Sequence, residues 1–302
     1  MKIFVAGGSG TIGIPLVRAL VASGHRVTAL TRSPGKREGL QALGASPAVA
    51  DALDRDALLA AVEATQPTHV IHQLTALPKE GPRNPKDLDA TNRLRIDGTR
   101  NLLEAAIRTG TRRFIVGSFA LLSDRGPGAA GSVDEATAAI RSMESQVMEA
   151  TGRGSIEGVI LRYGMFYGFE APSTVRMIDM VRKRRLPAVR GDTGLLPLIH
   201  VDDAVSATLA ALDRAPGGSA YDIVDDQAVS MSQIVEAIAE YSGSPAPFKV
   251  PAWLPRLIAP YMARMTSMRM PLSNAKAKAE LGWVPKYSTM REGLAGMFSH
   301  AA

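Results

Sequence analysis

Cysteine is absent from this chain of 302 residues, which removes disulfides, thiolate nucleophiles and cysteine-built zinc sites at once. Aromatic residues make up only 5% of it, too few to interleave with basic residues as a nucleic-acid surface requires, so no nucleic-acid partner is expected. No apolar run approaches the roughly 18 residues of a membrane span, so no membrane partner is expected either. The chain opens directly on a strand pattern with no charged leader, which points to a cytoplasmic protein. Its net charge of +6 is spread along the chain, with one local run, Arg182-Lys183-Arg184-Arg185. Such a run reads as a solvated helix end or as a contact for an anionic substrate.

What the chain does have begins at its first residue. Ile3 to Ala6 form an apolar strand that runs into Gly7-Gly8-Ser9-Gly10-Thr11-Ile12-Gly13 and then a helical pattern through Ile12, Leu16 and Leu20. A glycine triplet between a strand and a helix is a phosphate cradle. Gly7 permits the tight turn, Gly10 lets the backbone approach a pyrophosphate, and Gly13 lets the helix lie close on the strand. Ser9, Thr11 and Ile12 supply the remaining backbone of the loop.

Apolar runs then alternate with helical patterns: Arg26 to Leu30, Pro47 to Ala50, His69 to Leu74, Arg113 to Gly117 and Gly158 to Leu161. Alternation of this kind predicts an α/β fold, a doubly wound parallel sheet of Rossmann type. Leu88 to Arg108 reads as one long helix. After about residue 163 the pattern loosens, with short strands around Leu196 to His200 and Ala220 to Val224, predicting a dinucleotide-binding domain over 1–165 and a smaller C-terminal substrate-binding cap over 166–302, some segments of which return to the main domain.

The end of the second strand selects the nucleotide. A site for NAD(H) places a carboxylate there for the ribose hydroxyls, whereas this chain reads Thr31-Arg32-Ser33-Pro34-Gly35-Lys36. Arg32 can clamp a 2′-phosphate, with Ser33 and Lys36 within reach, so NADP(H) is favoured over NAD(H). Asp51 and Ala52 follow the third strand and would border the adenine, with Asp54 as a helix N-cap. Leu74, Thr75 and Ala76 end the fourth strand and would pass under the nicotinamide ribose.

Together with Thr91-Asn92, Asp-Gly-Thr-Arg-Asn-Leu-Leu-Glu-Ala-Ala (97 to 106), Leu-Arg-Tyr-Gly-Met-Phe-Tyr-Gly (161 to 168), Ile-His-Val-Asp-Asp-Ala (199 to 204) and Glu-Leu-Gly-Trp-Val-Pro (280 to 285), these stretches resemble the extended short-chain dehydrogenase/reductase superfamily, the branch of sugar-nucleotide epimerases, dehydratases and ketoreductases. The resemblance implies a bound dinucleotide, with Asn92 among the cofactor-domain helices and the Tyr163, Gly164 and Met165 backbone against the nicotinamide carboxamide. It also implies a Tyr-x-x-x-Lys pair on the helix after the fifth strand. This chain has no Tyr before Tyr163 and no Lys between Lys86 and Lys183, and the segment from Ala136 to Glu149 holds neither. It therefore resembles an atypical member.

Hydride transfer needs both partners in line and one proton handled, and positioning carries part of the barrier. Tyr163 and Ser118 are the candidate catalytic residues, with Tyr167 and His72 behind them. His200 with the adjacent Asp202 and Asp203 has no further ligand clustered near it in the sequence, so no metal is expected. Trp253 to Met268 is rich in apolar and Met side chains, which suits an adaptable pocket or a packing face. The expected function is an NADPH-dependent reductase of a mid-sized, partly apolar carbonyl compound. The alternatives are a sugar-nucleotide epimerase or dehydratase, and a regulator that senses NADP(H) without catalysis. A small-molecule substrate is the expected partner, and a homodimer through the helix at 88–108 stays open.

Overall fold

The computed structural model describes residues 1–78, 81–120, 135–270 and 272–299. Its strands are β1 (Lys2–Ala6), β2 (Arg26–Thr31), β3 (Ser46–Val49), β4 (His69–His72), β5 (Arg113–Phe119), β6 (Glu157–Tyr163), β7 (Met165–Tyr167), β8 (Ala188–Val189), β9 (Leu198–His200), β10 (Ser219–Ile223) and β11 (Lys249–Val250). Seven of them form one sheet in the order β10-β6-β5-β4-β1-β2-β3, parallel at every pairing. The central strands read as continuous apolar runs because helices cover both faces.

One face carries α1 (Gly13–Ala22), packed on Ile3, Val5, Ile71, Ile115 and Leu161 together with the later helix at 201–214. The other carries α3 (Arg55–Glu63), α5 (Thr99–Arg108) and α6 (Glu135–Gly152) over Phe4, Val70, Phe114 and Val116. The short α2 (Arg37–Ala42) lies between β2 and β3, and α4 (Asp89–Arg93) precedes α5. The helix expected over 88–108 is interrupted. Residues Leu94–Gly98 form a π-turn between α4 and α5, a widening that places an extra residue in the helix and often accompanies function.

Chain order reverses between β1 and β4, so a crevice opens there at the carboxyl ends of the strands, where ligands of doubly wound sheets bind. After β6 the chain leaves the sheet, builds the β7–β9 pair, and returns through β10, which pairs with β6 from Ser219↔Val159 to Ile223↔Tyr163. A third apolar cluster, including Tyr167, Ile178, Leu196, Val235, Ile238 and Leu294, holds the cap.

Candidate active site

Gly7 adopts φ +90°, a conformation that β-carbons disfavour. A Cβ added at Gly13 would overlap the Gly7 carbonyl and the Gly8 backbone, so this helix can approach its loop only as glycine. The Gly10 N–H donates to Gly7 O at 3.0 Å. Ile12 gives α1 no side-chain cap and the first turn has no acidic residue, leaving its N–H groups for an anion. A cradle that side chains would fill fits a dinucleotide pyrophosphate.

The basic turn after β2 is tied to this cradle. Ser9 Oγ and Thr31 Oγ1 lie 3.1 Å apart, Ser33 N donates to Thr31 Oγ1 at 3.2 Å, and Lys36 Nζ donates to Ser9 O at 3.3 Å. Arg32 is exposed beside them. Asp51 accepts from Leu53 N at 2.9 Å, which shapes the turn after β3, and Asp54 caps α3 through Ala57 N at 3.1 Å. Leu74 N donates to His72 Nδ1 at 3.1 Å and Ala76 N to Thr91 Oγ1 at 2.9 Å, so the backbone after β4 is held from both sides while Thr75 stays exposed.

Both expected proton donors are buried and already engaged. Tyr163, 3% exposed, accepts from Gln73 Nε2 at 3.0 Å and lies 2.8 Å from Thr208 Oγ1. Since Thr208 donates its own proton to Ala204 O at 2.7 Å, the phenol donates to Thr208. Burial pushes its pKa up to about 12. Ser118 Oγ donates to Glu144 Oε1 at 2.6 Å, and Glu144 is paired with Arg162 Nη2 at 2.6 Å. The pleat of β5 sets this: Gly117 turns toward Gln73 and Tyr163, and Ser118 turns to the α6 side. Phe119 stands at the strand end, against Ile140 of α6, Met268, Met270 and Leu272. Among the described residues, the segment where the resemblance implied a Tyr-Lys pair offers an apolar group around Ile140 and, beside it, the Ser118–Glu144–Arg162 tie.

The turn after β6 is similarly committed. Gly164 N donates to Ile223 O at 3.0 Å and Met165 N to Pro197 O at 2.8 Å, so the partners this turn can offer a carboxamide are its carbonyls. A Cβ at Gly164 would lie 2.9 Å from Pro197 O, which accounts for glycine there. Asn92 is buried, and its Oδ1 accepts from Arg95 Nη1 at 3.3 Å; Arg95 escaped the sequence reading because nothing in its spacing distinguishes it from a solvated helix position.

The other candidates are structural in their contacts. His72 is fully buried, 2.9 Å from Thr99 Oγ1, and burial holds its pKa down at about 4. His200 accepts from Asp202 N at 3.2 Å and sits between the Tyr167 and Tyr287 rings. Asp203 accepts from Lys286 N at 2.6 Å and Tyr287 N at 3.0 Å. No cluster of three metal-ligating side chains occurs among the described residues. Of the apolar stretch at 253–268, Trp253, Leu257, Ile258 and Met262 face outward, and Met268 reaches the corner beside Phe119.

A doubly wound sheet with a glycine cradle at its switch point defines a dinucleotide-binding α/β enzyme. Residues 3–224 match the NAD dependent epimerase/dehydratase family, and the chain belongs to it. UDP-glucose 4-epimerase of Thermus thermophilus, solved in complex with NAD, superposes with a TM-score of 0.80 at 23% identity, over 99% of this chain and 98% of that one; this shows the shared fold. A Streptomyces protein named 3-diazoavenalumate denitrifying reductase is 35% identical over 97% of this chain and 99% of its own length. A Stigmatella aurantiaca protein named 4-hydroxy-2-methyl-3-oxo-4-farnesyl-3,4-dihydroquinoline-1-oxide ketoreductase is 28% identical over 97% of this chain and 95% of its own. The chain is an NAD(P)-dependent oxidoreductase of the extended short-chain dehydrogenase/reductase type.

Proposed function

We propose that this enzyme is an NADPH-dependent reductase of a mid-sized, partly apolar electrophile, a ketone in the first instance, working without a side chain dedicated to protonation. The observation that supports this is that, among the described residues, Phe119, Ile140 and Met270 meet beside β5 and α6 while the nearby Ser118 and Tyr163 hydroxyls are consumed by Glu144, Gln73 and Thr208. An epimerase or dehydratase starts by oxidising an alcohol and depends on a base with a lowered pKa; Tyr163 is raised instead. A bound nicotinamide supplies the hydride. The cradle from Gly7 to Gly13 would hold the pyrophosphate, Arg32, Ser33 and Lys36 the 2′-phosphate, Asp51 and Ala52 the adenine, and the backbone from Leu74 to Ala76 the nicotinamide ribose. Phe119, Met268 and Met270 would seat the apolar part of the substrate and exclude water, and solvent supplies the proton to the alkoxide.

A second reading is favoured by the same corner together with the Streptomyces relative. An arenediazonium ion that gains hydride gives an aryldiazene, which loses N2 to leave Ar–H. Nothing in that sequence of steps asks the enzyme for a general acid, so a site without one is suited to it.

The test is fluorescence titration with NADPH and NADH, followed by NADPH consumption with aryl and cyclic ketones and with an arenediazonium salt. NADPH binding, with Arg32→Ala raising its Kd about tenfold and leaving NADH unchanged, is the expected result. Turnover of ketones supports the first reading, and turnover of the diazonium alone with N2 release supports the second. Tight nucleotide binding with no turnover of either class overturns both.

A further inference from the structure

Arg95 lies inside the π-turn at Leu94–Gly98, and its guanidinium has no carboxylate partner among the described residues. Other arginines drawn into the interior are met well: Arg113 by Glu157 and by the carbonyls of Ala211 and Leu212, Arg162 by Glu144, and Arg214 by Leu281 O. For Arg95 the hydrogen bond within the described residues is the 3.3 Å contact with the neutral Oδ1 of Asn92. Arg95 is half-buried, so its five N–H donors lose part of their water with no anion in return among the described residues. Burial accordingly lowers its pKa to about 10.

Its surroundings say what such a group could serve. Arg95 follows Thr91 by four residues, and Thr91 Oγ1 receives the Ala76 N–H of the loop after β4. Arg95 also acts electrostatically on His72, whose Nδ1 receives Leu74 N from the same loop. Arg95 therefore belongs to the helical segment that holds the loop after β4 and lies within electrostatic reach of β4, a part of the fold distinct from the α1 cradle and the Arg32 turn where the cofactor's phosphates would be met. Another unmet group of α6 packs on the same turn: Gln146 Nε2 donates to Ile96 O at 3.1 Å, and Gln146 Oε1 is buried with no hydrogen-bond partner among the described residues.

Resting on the reductase reading, we infer that Arg95 is an anion anchor at the nicotinamide end of the crevice, built to receive a carboxylate of the substrate. The enzyme would then take partly apolar electrophiles that carry an acid group, and discriminate against their esters. A planar fork matches a carboxylate bidentately, which Lys cannot reproduce.

The experiment compares the full chain with Arg95→Met and Arg95→Lys. NADPH affinity is measured by fluorescence. The NADP+-saturated proteins are then titrated by thermal shift with 3-oxooctanoate and 4-hydroxycinnamate, each against its methyl ester. The expected result is that an acid, and not its ester, stabilises the wild type, and that Arg95→Met weakens acid binding at least about tenfold while NADPH affinity is unchanged. The ligand-free Tm of Arg95→Met should stay level or rise, because an uncompensated cation has been removed; a purely structural arginine would lower it. A tenfold loss confined to NADPH overturns the inference, since Arg95 would then meet a phosphate of the dinucleotide and not a carboxylate of the substrate. Binding of acids, esters and NADPH that is indifferent to Arg95, or a fall in Tm that Arg95→Lys restores without any change in affinity, overturns the inference. A wild-type chain that binds no nicotinamide nucleotide removes the reductase reading itself, a result distinct from normal NADPH binding without Arg95 dependence.

Discussion

Tyr163 and Ser118 illustrate how a hydroxyl near the cofactor crevice can be spent on holding the protein together. With its phenol bonded to Gln73 and Thr208, Tyr163→Phe is expected to leave kcat within about threefold and to lower stability by about 1 kcal/mol, read from turnover and urea unfolding. A loss of about a hundredfold or more in kcat would return Tyr163 to the role of general acid. Asp225 makes a second residue-scale case. Both its oxygens are buried without a formed hydrogen bond among the described residues, the nearby Tyr167 hydroxyl donating instead to Thr289 O at 3.4 Å. Burial, reinforced by the charge of Asp203, pushes its carboxyl up to about 8 from an ordinary 3.8. Between those pH values the folded state holds a proton that the unfolded chain has released, so this residue's contribution to stability declines as pH rises through the window and levels off above it. Tm measured from pH 4 to pH 9 should therefore fall less steeply for Asp225→Asn than for the wild type, and parallel curves would show that Asp225 is not the group responsible.

At the scale of elements, α6 is docked on β5 and β6 by a polar tie as well as by apolar packing. Glu144 of α6 receives Ser118 from β5 and Arg162 from β6, inside the cluster that contains Met143, Val147 and Ile160. Glu144→Ala leaves Arg162 unpaired and Ser118 without its acceptor, and should destabilise the fold by about 3–5 kcal/mol, measured by chemical denaturation. Glu144→Gln, which keeps the acceptor for Ser118, should cost less. These pairings were only partly legible in the sequence. The cradle could be read because strand, glycine spacing and helix are contiguous, so local sterics dictate the turn. The expectation of one helix over 88–108 missed the π-turn, since apolar spacing at three and four residues tolerates one inserted residue without losing its face. Arg95 was passed over for the same reason: its meaning depends on the strand end it is folded against.

For the whole molecule, the boundary expected near residue 165 meets a sheet whose outer strand comes from much later in the chain. β10 covers the edge of β6, and the helix at 201–214 supplies Ala204, Ala207 and Ala211 to the core beneath α1 along with the Thr208 partner of Tyr163. A chain ending at residue 165 would expose that edge and one face of the sheet, so it should fail to give dispersed amide resonances or a cooperative melt; a cooperatively folded product would show that the first six strands suffice. The sequence by itself determined the doubly wound class, the glycine turn before α1, the basic turn after β2 and the lack of a Tyr-Lys pair, because each is a matter of residue identity within a few consecutive positions. Only the tertiary structure decided where the hydroxyls and the cation go. Tyr163 meets Gln73 and Thr208 across 90 and 45 residues of sequence, and Arg95 comes within electrostatic reach of His72 on β4 only once the sheet is assembled, since groups so far apart in the chain are brought together by packing and leave no local pattern.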